Sequence, residues 1–332
     1  MQGAVIRLAT CHLTAADENA IGAPYTMALG GIVKPLILIS LWFGAWPRWV
    51  DFYLETCRAN PDVQWLIVTD QPPPESRPPN VRFLQMTFIE MRDRLAAATQ
   101  LDLSAITAPY KLCDFKPAFG HAFEQEIAGY RSFGFADIDV FFGRIRQFYT
   151  DDVLSRYDII SASQSMVSGH FAVLRNTRRM RLSYRLIPGW RRLAPATKHF
   201  GLDEHPFRRV FRSRNRLLAA IQGLFWRTQF VEQHSSAESR RRAAPSVWTW
   251  RAGRLLRDGE PEREYLYLHF MRWQSNRWRD DEAAPWPALG DRLVQMPWQE
   301  AMETGFSASA SGIGRLTSLP DGQPPHTGTT AP

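Results

Sequence analysis

Pro35-Leu36-Ile37-Leu38-Ile39-Ser40-Leu41, then Trp49 to Asn60, then Val63-Gln64-Trp65-Leu66-Ile67-Val68-Thr69-Asp70 follow one another with short links, and their order decides the fold. The first and third segments are continuous runs of β-forming apolar residues, the pattern of strands buried on both faces. The middle segment spaces Val50, Tyr53, Leu54 and Cys57 along one helix face and stops at Asn60-Pro61. Strand, helix and strand with short links imply parallel pairing through a right-handed crossover, the first half of an open nucleotide-binding α/β sheet. Ligands of such sheets sit beyond the carboxyl ends of the strands. Ser40 and Asp70 are the polar residues there. Both are candidates for base or ribose contact, and both also suit ordinary turns.

Outward from this unit, a proline-rich turn (Pro72 to Pro74, Pro78-Pro79) leads to a third strand over Asn80 to Met86. Helical stretches are predicted over 88–101 and 118–130, with further strands over 133–143, 157–162, 168–174 and 264–270. Residues 1–33 show no sustained periodicity and predict a poorly structured extension, with Met27 an alternative start. Residues 206–258, crowded with arginine (Arg208-Arg209, Arg212, Arg214, Arg216, Arg240 to Arg242), read as a basic, partly helical insertion in a domain spanning 34–275. Residues 276–332 end rich in Pro, Gly and Ser and predict a largely disordered tail.

The 332 residues are 45% hydrophobic and 12% aromatic, enough apolar mass for one large α/β domain or two small ones. Forty basic against 33 acidic residues leave a formal charge of +7, which suits polyanionic ligands or an anionic membrane surface. Three widely spaced cysteines (Cys11, Cys57, Cys113) form no CxxC pair and point to a reducing compartment. No apolar run reaches the roughly 20 residues of a membrane span, and the amino terminus lacks the features of a signal peptide. The expectation is a cytoplasmic protein able to touch the inner face of the membrane.

The chemistry centres on Asp137-Ile138-Asp139, at the end of the aromatic strand Phe133 to Gly143. Residues i and i+2 of an extended segment point to one side, about 6.5 Å apart. Two carboxylates so close in a water-poor cleft repel unless a cation neutralises them. A hard divalent ion, Mn²⁺ or Mg²⁺, bound by oxygen ligands would do so and keep sites open for phosphate. Upstream, Lys111, Asp114 and Lys116 alternate with apolar residues: the lysines are candidates for phosphate and Asp114 for sugar hydroxyls, against an N-cap aspartate with solvated lysines. Gly169 and His170 open a strand where a ligand can approach the backbone. Asp203 and Glu204, beside His205, are candidate catalytic carboxylates that could act as base or bind acceptor hydroxyls. His269, inside an apolar strand, fits either a hydrogen-bonded core histidine or a third metal ligand, and Arg272 behind it could pair with phosphate.

With these residues in hand, the order of elements resembles the glycosyltransferase A-type fold, Rossmann-like with a mostly parallel central sheet flanked by helices. It is similar to the bacterial and fungal Asp-x-Asp sugar-binding transferases and to a bacterial transferase-like family without a name. The matching segments are Phe43 to Trp49, Tyr110 to Gly120, Phe133 to Gly143, Ser168 to His170, Asp203 to His205 and Tyr267 to His269, within residues 34–275. The resemblance implies that Asp137 faces ribose or donor sugar, Asp139 ligates the metal, His269 completes the metal site and Asp114 contacts the donor sugar. The chain departs from the pattern in carrying Phe133-Gly134 where relatives have Gly-Gly, and Lys116 where they have arginine. The implied activity is retaining transfer from a UDP- or GDP-sugar to a glycan or glycolipid acceptor in surface polysaccharide synthesis. Two alternatives remain: a nucleic-acid-binding protein using the arginine-rich segment with aromatic platforms at Phe207, Phe211, Phe225 and Trp226, and an inactive transferase-like scaffold. Nucleic acid is the less expected partner.

Overall fold

Four neighbouring strands run parallel at the centre of the molecule because their apolar runs need cover on both faces. This computed structural model describes residues 33–231, 246–270, 293–309 and 312–316. The described residues from 34 on form one compact unit; the expected extension over 1–33 lies, but for Val33, outside the described residues, as do Arg240 to Arg242 and Arg272. In chain order the first eight strands are β1 (Lys34–Trp42), β2 (Val63–Thr69), β3 (Val81–Gln85), β4 (Tyr130–Ala136), β5 (Val140–Phe142), β6 (Ile159–Ser161), β7 (Phe171–Arg175) and β8 (Thr228–Phe230). The main sheet has the order β3-β2-β1-β4-β7-β6-β8. Its first four strands are parallel, β7 runs against both neighbours, and β8 is parallel to β6. The α/β class with a mostly parallel central sheet flanked by helices is therefore as expected.

Strand alternation sorts the core. Ile37 and Ile39 join Leu66, Val68, Phe133 and Phe135 on one face, where Met91 and Leu95 of helix α2 (Phe88–Thr99) pack. Leu36 and Leu38 join Trp65 and Ile67 on the other, against Tyr53, Leu54 and Cys57 of helix α1 (Val50–Arg58). A capping box between Thr87 and Glu90 starts α2. Gly134 sits where β1, β4 and β7 meet: a Cβ there would lie 2.4 Å from the Ala172 carbonyl oxygen and 2.7 Å from Leu38 Cδ2. Close strand packing is thus what this glycine serves.

Several expectations change. The 133–143 segment is two strands, broken at Asp137-Ile138-Asp139, and β5 leaves the main sheet. Residues 109–118 form a 3-10 helix, and only one α-turn, Phe119–Ala122, follows where a longer helix was expected. The arginine-rich region is no single insertion. It supplies helices α3 (His205–Phe211) and α4 (Arg216–Phe225), edge strand β8, and then β9 (Trp248–Arg251) and β10 (Arg254–Arg257). Next come β11 (Glu260–Glu264), β12 (Tyr267–His269), helix α5 (Trp298–Thr304), β13 (Phe306–Ser309) and β14 (Gly312–Gly314). A second sheet has the order β11-β10-β9-β13-β14. Residues assigned from sequence to a disordered tail therefore pair with the domain, because Phe306 and Ile313 complete an apolar cluster with Trp49, Phe52, Phe141, Trp248 and Trp250. The remainder of 276–332 lies outside the described residues.

Candidate active site

The turn after β4 is held at three backbone points. The Asp137 amide donates to the His170 carbonyl at 2.9 Å, and the Phe270 amide donates to the Asp139 carbonyl at 3.2 Å. The Trp49 indole N–H donates to the Ile138 carbonyl at 3.0 Å from the head of α1. Ile138 is buried between two partly exposed aspartates, so both carboxylates face the cleft. A loop satisfied in this way presents its acids without leaving its own backbone groups unpaired.

β5 and β12 pair antiparallel, with Val140 opposite His269. That register carries the imidazole to the preceding residue's carboxylate: His269 Nε2 lies 3.0 Å from Asp139 Oδ2. The His269 ring stacks on His170, centroids 4.1 Å apart and 18° between planes. His170 Nε2 in turn lies 2.8 Å from the Tyr267 hydroxyl. Tyr267 and His269 are i and i+2 of one strand and so share a side. That alternation was the signal that could have added Tyr267 to the site from sequence.

Lys116 links the two halves of the cleft. Its ammonium donates to Asp137 Oδ1 at 2.6 Å and to the Gly169 carbonyl at 2.7 Å, and lies 3.9 Å from Asp203 Oδ2. Burial alone would lower its pKa, but the surrounding acids, Asp137 foremost, outweigh it and raise the value, so Lys116 stays charged. Burial, reinforced by the charge of Asp139, raises Asp137 even against Lys116. Asp139 moves the other way: burial opposes its charge, but His269 outweighs it and lowers its pKa. Gly169 lies against the acids: a Cβ there would be 2.8 Å from Asp203 Oδ2 and 3.1 Å from Glu204 Oε1. Asp203 is buried and Glu204 half-buried. Burial pushes the Asp203 carboxyl up to about 7, with Lys116 opposing the rise and Glu204 adding to it.

Three sequence candidates do different work. Lys111 is buried, and its ammonium donates to Asp114 (2.7 Å) and to the carbonyls of Lys198 (2.7 Å) and Leu193 (3.2 Å). Asp114 is fully buried and also accepts the amides of Phe200 (2.9 Å) and Leu202 (2.8 Å). This pair fixes the loop that delivers Asp203. Ser40 lies inside β1, its hydroxyl 3.2 Å from Tyr53 OH, withdrawn from any base or ribose because the strand runs on to Trp42. Asp70 is exposed at the end of β2, where it accepts the Gly44 amide at 2.9 Å.

Two groups of residues could hold a cation. Asp114, His199 and Asp203 place donor atoms within 4.8 Å of one another, and His199 was not singled out from sequence. Asp114 already takes an ammonium and two amides there, and the ammonium opposes a second cation. The other group is Asp137, Asp139 and His269: Asp139 and His269 touch, but the three together do not bring ligand atoms within 4.8 Å of one another, and Lys116 opposes a cation at Asp137 as Lys111 does at Asp114. Neighbouring ligands of a small octahedral ion at about 2.1 Å stand about 3 Å apart, which is the Asp139–His269 spacing of 3.0 Å. Lys116 bonds Oδ1 of Asp137, while its Oδ2 makes no hydrogen bond among the described residues.

A mixed α/β sheet with acids gathered at the carboxyl end of a central strand defines the class of this molecule. Residues 38–286 match the family of unknown function DUF6625, and the chain belongs to that family. No curated protein matches the chain. Among solved structures it is similar to the galactosyltransferase LgtC in complex with donor and acceptor sugar analogs, at 10% identity and TM-score 0.40, over 80% of this chain and 99% of that one. It is also similar to the apo glycosyltransferase GlyE of Streptococcus pneumoniae TIGR4, at 9% identity and TM-score 0.36, over 81% and 62%. A third is mouse xyloside xylosyltransferase 1, at 12% identity and TM-score 0.34, over 53% and 81%.

Proposed function

We propose that this protein is a glycosyltransferase that moves a sugar from a nucleoside diphosphate sugar to a glycan or glycolipid acceptor. The observation that carries the reading is the Asp139–His269 contact of 3.0 Å beside Asp137, at the carboxyl end of β4. Asp137, Asp139 and His269 would hold a divalent ion, Mn²⁺ or Mg²⁺. Such an ion supplies charge stabilisation to a diphosphate leaving group. The protein's own residues prepare that site. Asp139 lies 3.0 Å from His269, and the stack on His170 orients the imidazole. Lys116, charged and fixed by the Gly169 carbonyl, holds one oxygen of Asp137. Asp70 lies where a base or ribose would rest beyond β2, and Glu204 faces the acceptor side beside Gly169. Retention at the anomeric carbon is carried into this reading from the sequence resemblance alone.

Calorimetry with UDP, GDP and their sugars tests the proposal. One nucleotide is expected to bind only with Mn²⁺ or Mg²⁺ present, and Asp139→Ala should weaken it by about 10- to 100-fold. Absence of binding by every nucleotide with metal present would overturn the reading. Of the aromatic platforms of the nucleic-acid alternative, Phe207 and Phe211 lie in the core, Trp226 packs against it and only Phe225 is exposed.

A further inference from the structure

Helix α4 carries an apolar stripe that the described structure leaves uncovered. Leu217, Leu218, Ile221, Leu224 and Phe225 are all exposed, Leu224 to 83%, and the helix has no buried residue. Positions 217, 218, 221, 224 and 225 fall within an arc of about 120° at 100° per residue, so they form one continuous face. Such concentrated exposure is unusual on a protein surface and marks an interaction site. The helix is held in place by its polar side. Gln222 bonds the Arg209 carbonyl (2.8 Å), the Val210 carbonyl (3.1 Å) and the Ser213 amide (2.5 Å) at the end of α3. Trp226 packs on Phe211 and lies under the Arg179 guanidinium. Asn215 caps the helix start. The stripe is therefore displayed by a fixed helix.

Charge selects the occupant. Between Glu204 and Glu232 the chain carries Arg208, Arg209, Arg212, Arg214, Arg216 and Arg227, and no acidic residue. All but Arg208 are exposed. An apolar stripe rimmed by arginine is the pattern of a helix lying in the interface of an anionic bilayer, apolar side down and cations at the headgroups. Among the described residues no helix is long and apolar enough to cross a membrane, so contact here is with the surface.

We propose that α4 seats this protein on an anionic lipid surface, with Leu217, Leu224 and Phe225 entering the headgroup boundary and the flanking arginines meeting lipid phosphates. Since α3 begins one residue after Glu204 and α4 is bonded to α3, this seating sets the Asp203–Glu204 loop close to the membrane. Such lipid binding needs no transfer chemistry, sugar or metal.

Cosedimentation of the full chain with phosphatidylcholine vesicles, with and without phosphatidylglycerol, tests it. Binding is expected to the anionic vesicles only and to fall steeply with salt. Leu217→Glu with Leu224→Glu should reduce it about tenfold or more while leaving the thermal melting temperature unchanged. Arg212→Gln with Arg214→Gln should weaken it without touching the stripe. Equal binding by the leucine variant, or no binding by the native chain, overturns the proposal. So does a native dimer, seen by sedimentation, that the leucine variant converts to a monomer, because the stripe would then belong to a second copy. A lowered melting temperature in the variant overturns it too, since the stripe would then be covered by the protein itself.

Discussion

Asp203 shows how one buried acid can be read out by pH. Its ordinary value of 3.8 rises to about 7 in the fold, chiefly through burial. A carboxyl whose folded pKa is raised favours folding while protonated, so its contribution is complete below pH 3.8 and is lost as pH rises through about 7. Asp203→Asn keeps the shape and removes the titration. Its melting temperature relative to the native chain should climb between pH 4 and 7 and level off above; a difference flat across that window would show that Asp203 is ionised throughout. At this scale the sequence was most informative about residue type. It picked out Asp137, Asp139, Lys116 and His269, which the fold brings to one cleft. It did not reveal how Lys111, Asp114 and Ser40 are buried, because nothing in their spacing shows that a loop eighty residues downstream, or Tyr53, would engage their polar atoms.

At the scale of elements, the main sheet depends on how closely β7 can approach β4. Gly134 faces the Ala172 carbonyl across that pairing, with Leu38 behind. Gly134→Ala is expected to destabilise the fold by about 1–3 kcal/mol in urea unfolding, since the nearest atom is backbone and cannot swing away. A loss within about 0.3 kcal/mol would mean the strands yield more readily than the contacts imply. The first half of the sheet was legible because β1, β2 and α1 announce themselves by period. The break between β4 and β5 was not. Its cause is a pairing with β12, more than a hundred residues away, which draws Val140 to Phe142 out of line.

For the whole molecule, the second sheet is fastened to the first domain half by aromatic packing. Phe306 is fully buried against Phe52, Phe141 and Trp250, at centroid distances of 5.3, 4.9 and 5.2 Å. Phe306→Ala should cost about 3–5 kcal/mol, measured by denaturant titration. Were the carboxyl-terminal segment the loose tail its composition suggests, the substitution would change nothing. The same cluster includes Trp49, whose indole holds the Ile138 carbonyl, so the second sheet also braces the aspartate turn.

By itself the sequence determined the parallel strand-helix-strand core, the class of fold and the acids at its carboxyl edge, because period and residue type are local properties. The tertiary structure alone decided which of those polar residues are free to act. Lys116 meets Asp137, and His269 meets Asp139, through strand register and loop placement. It also decided that the last strands belong to the domain and that the stripe on α4 faces outward. Burial and pairing across long sequence separations follow from the packed whole, and no stretch of chain read alone contains them.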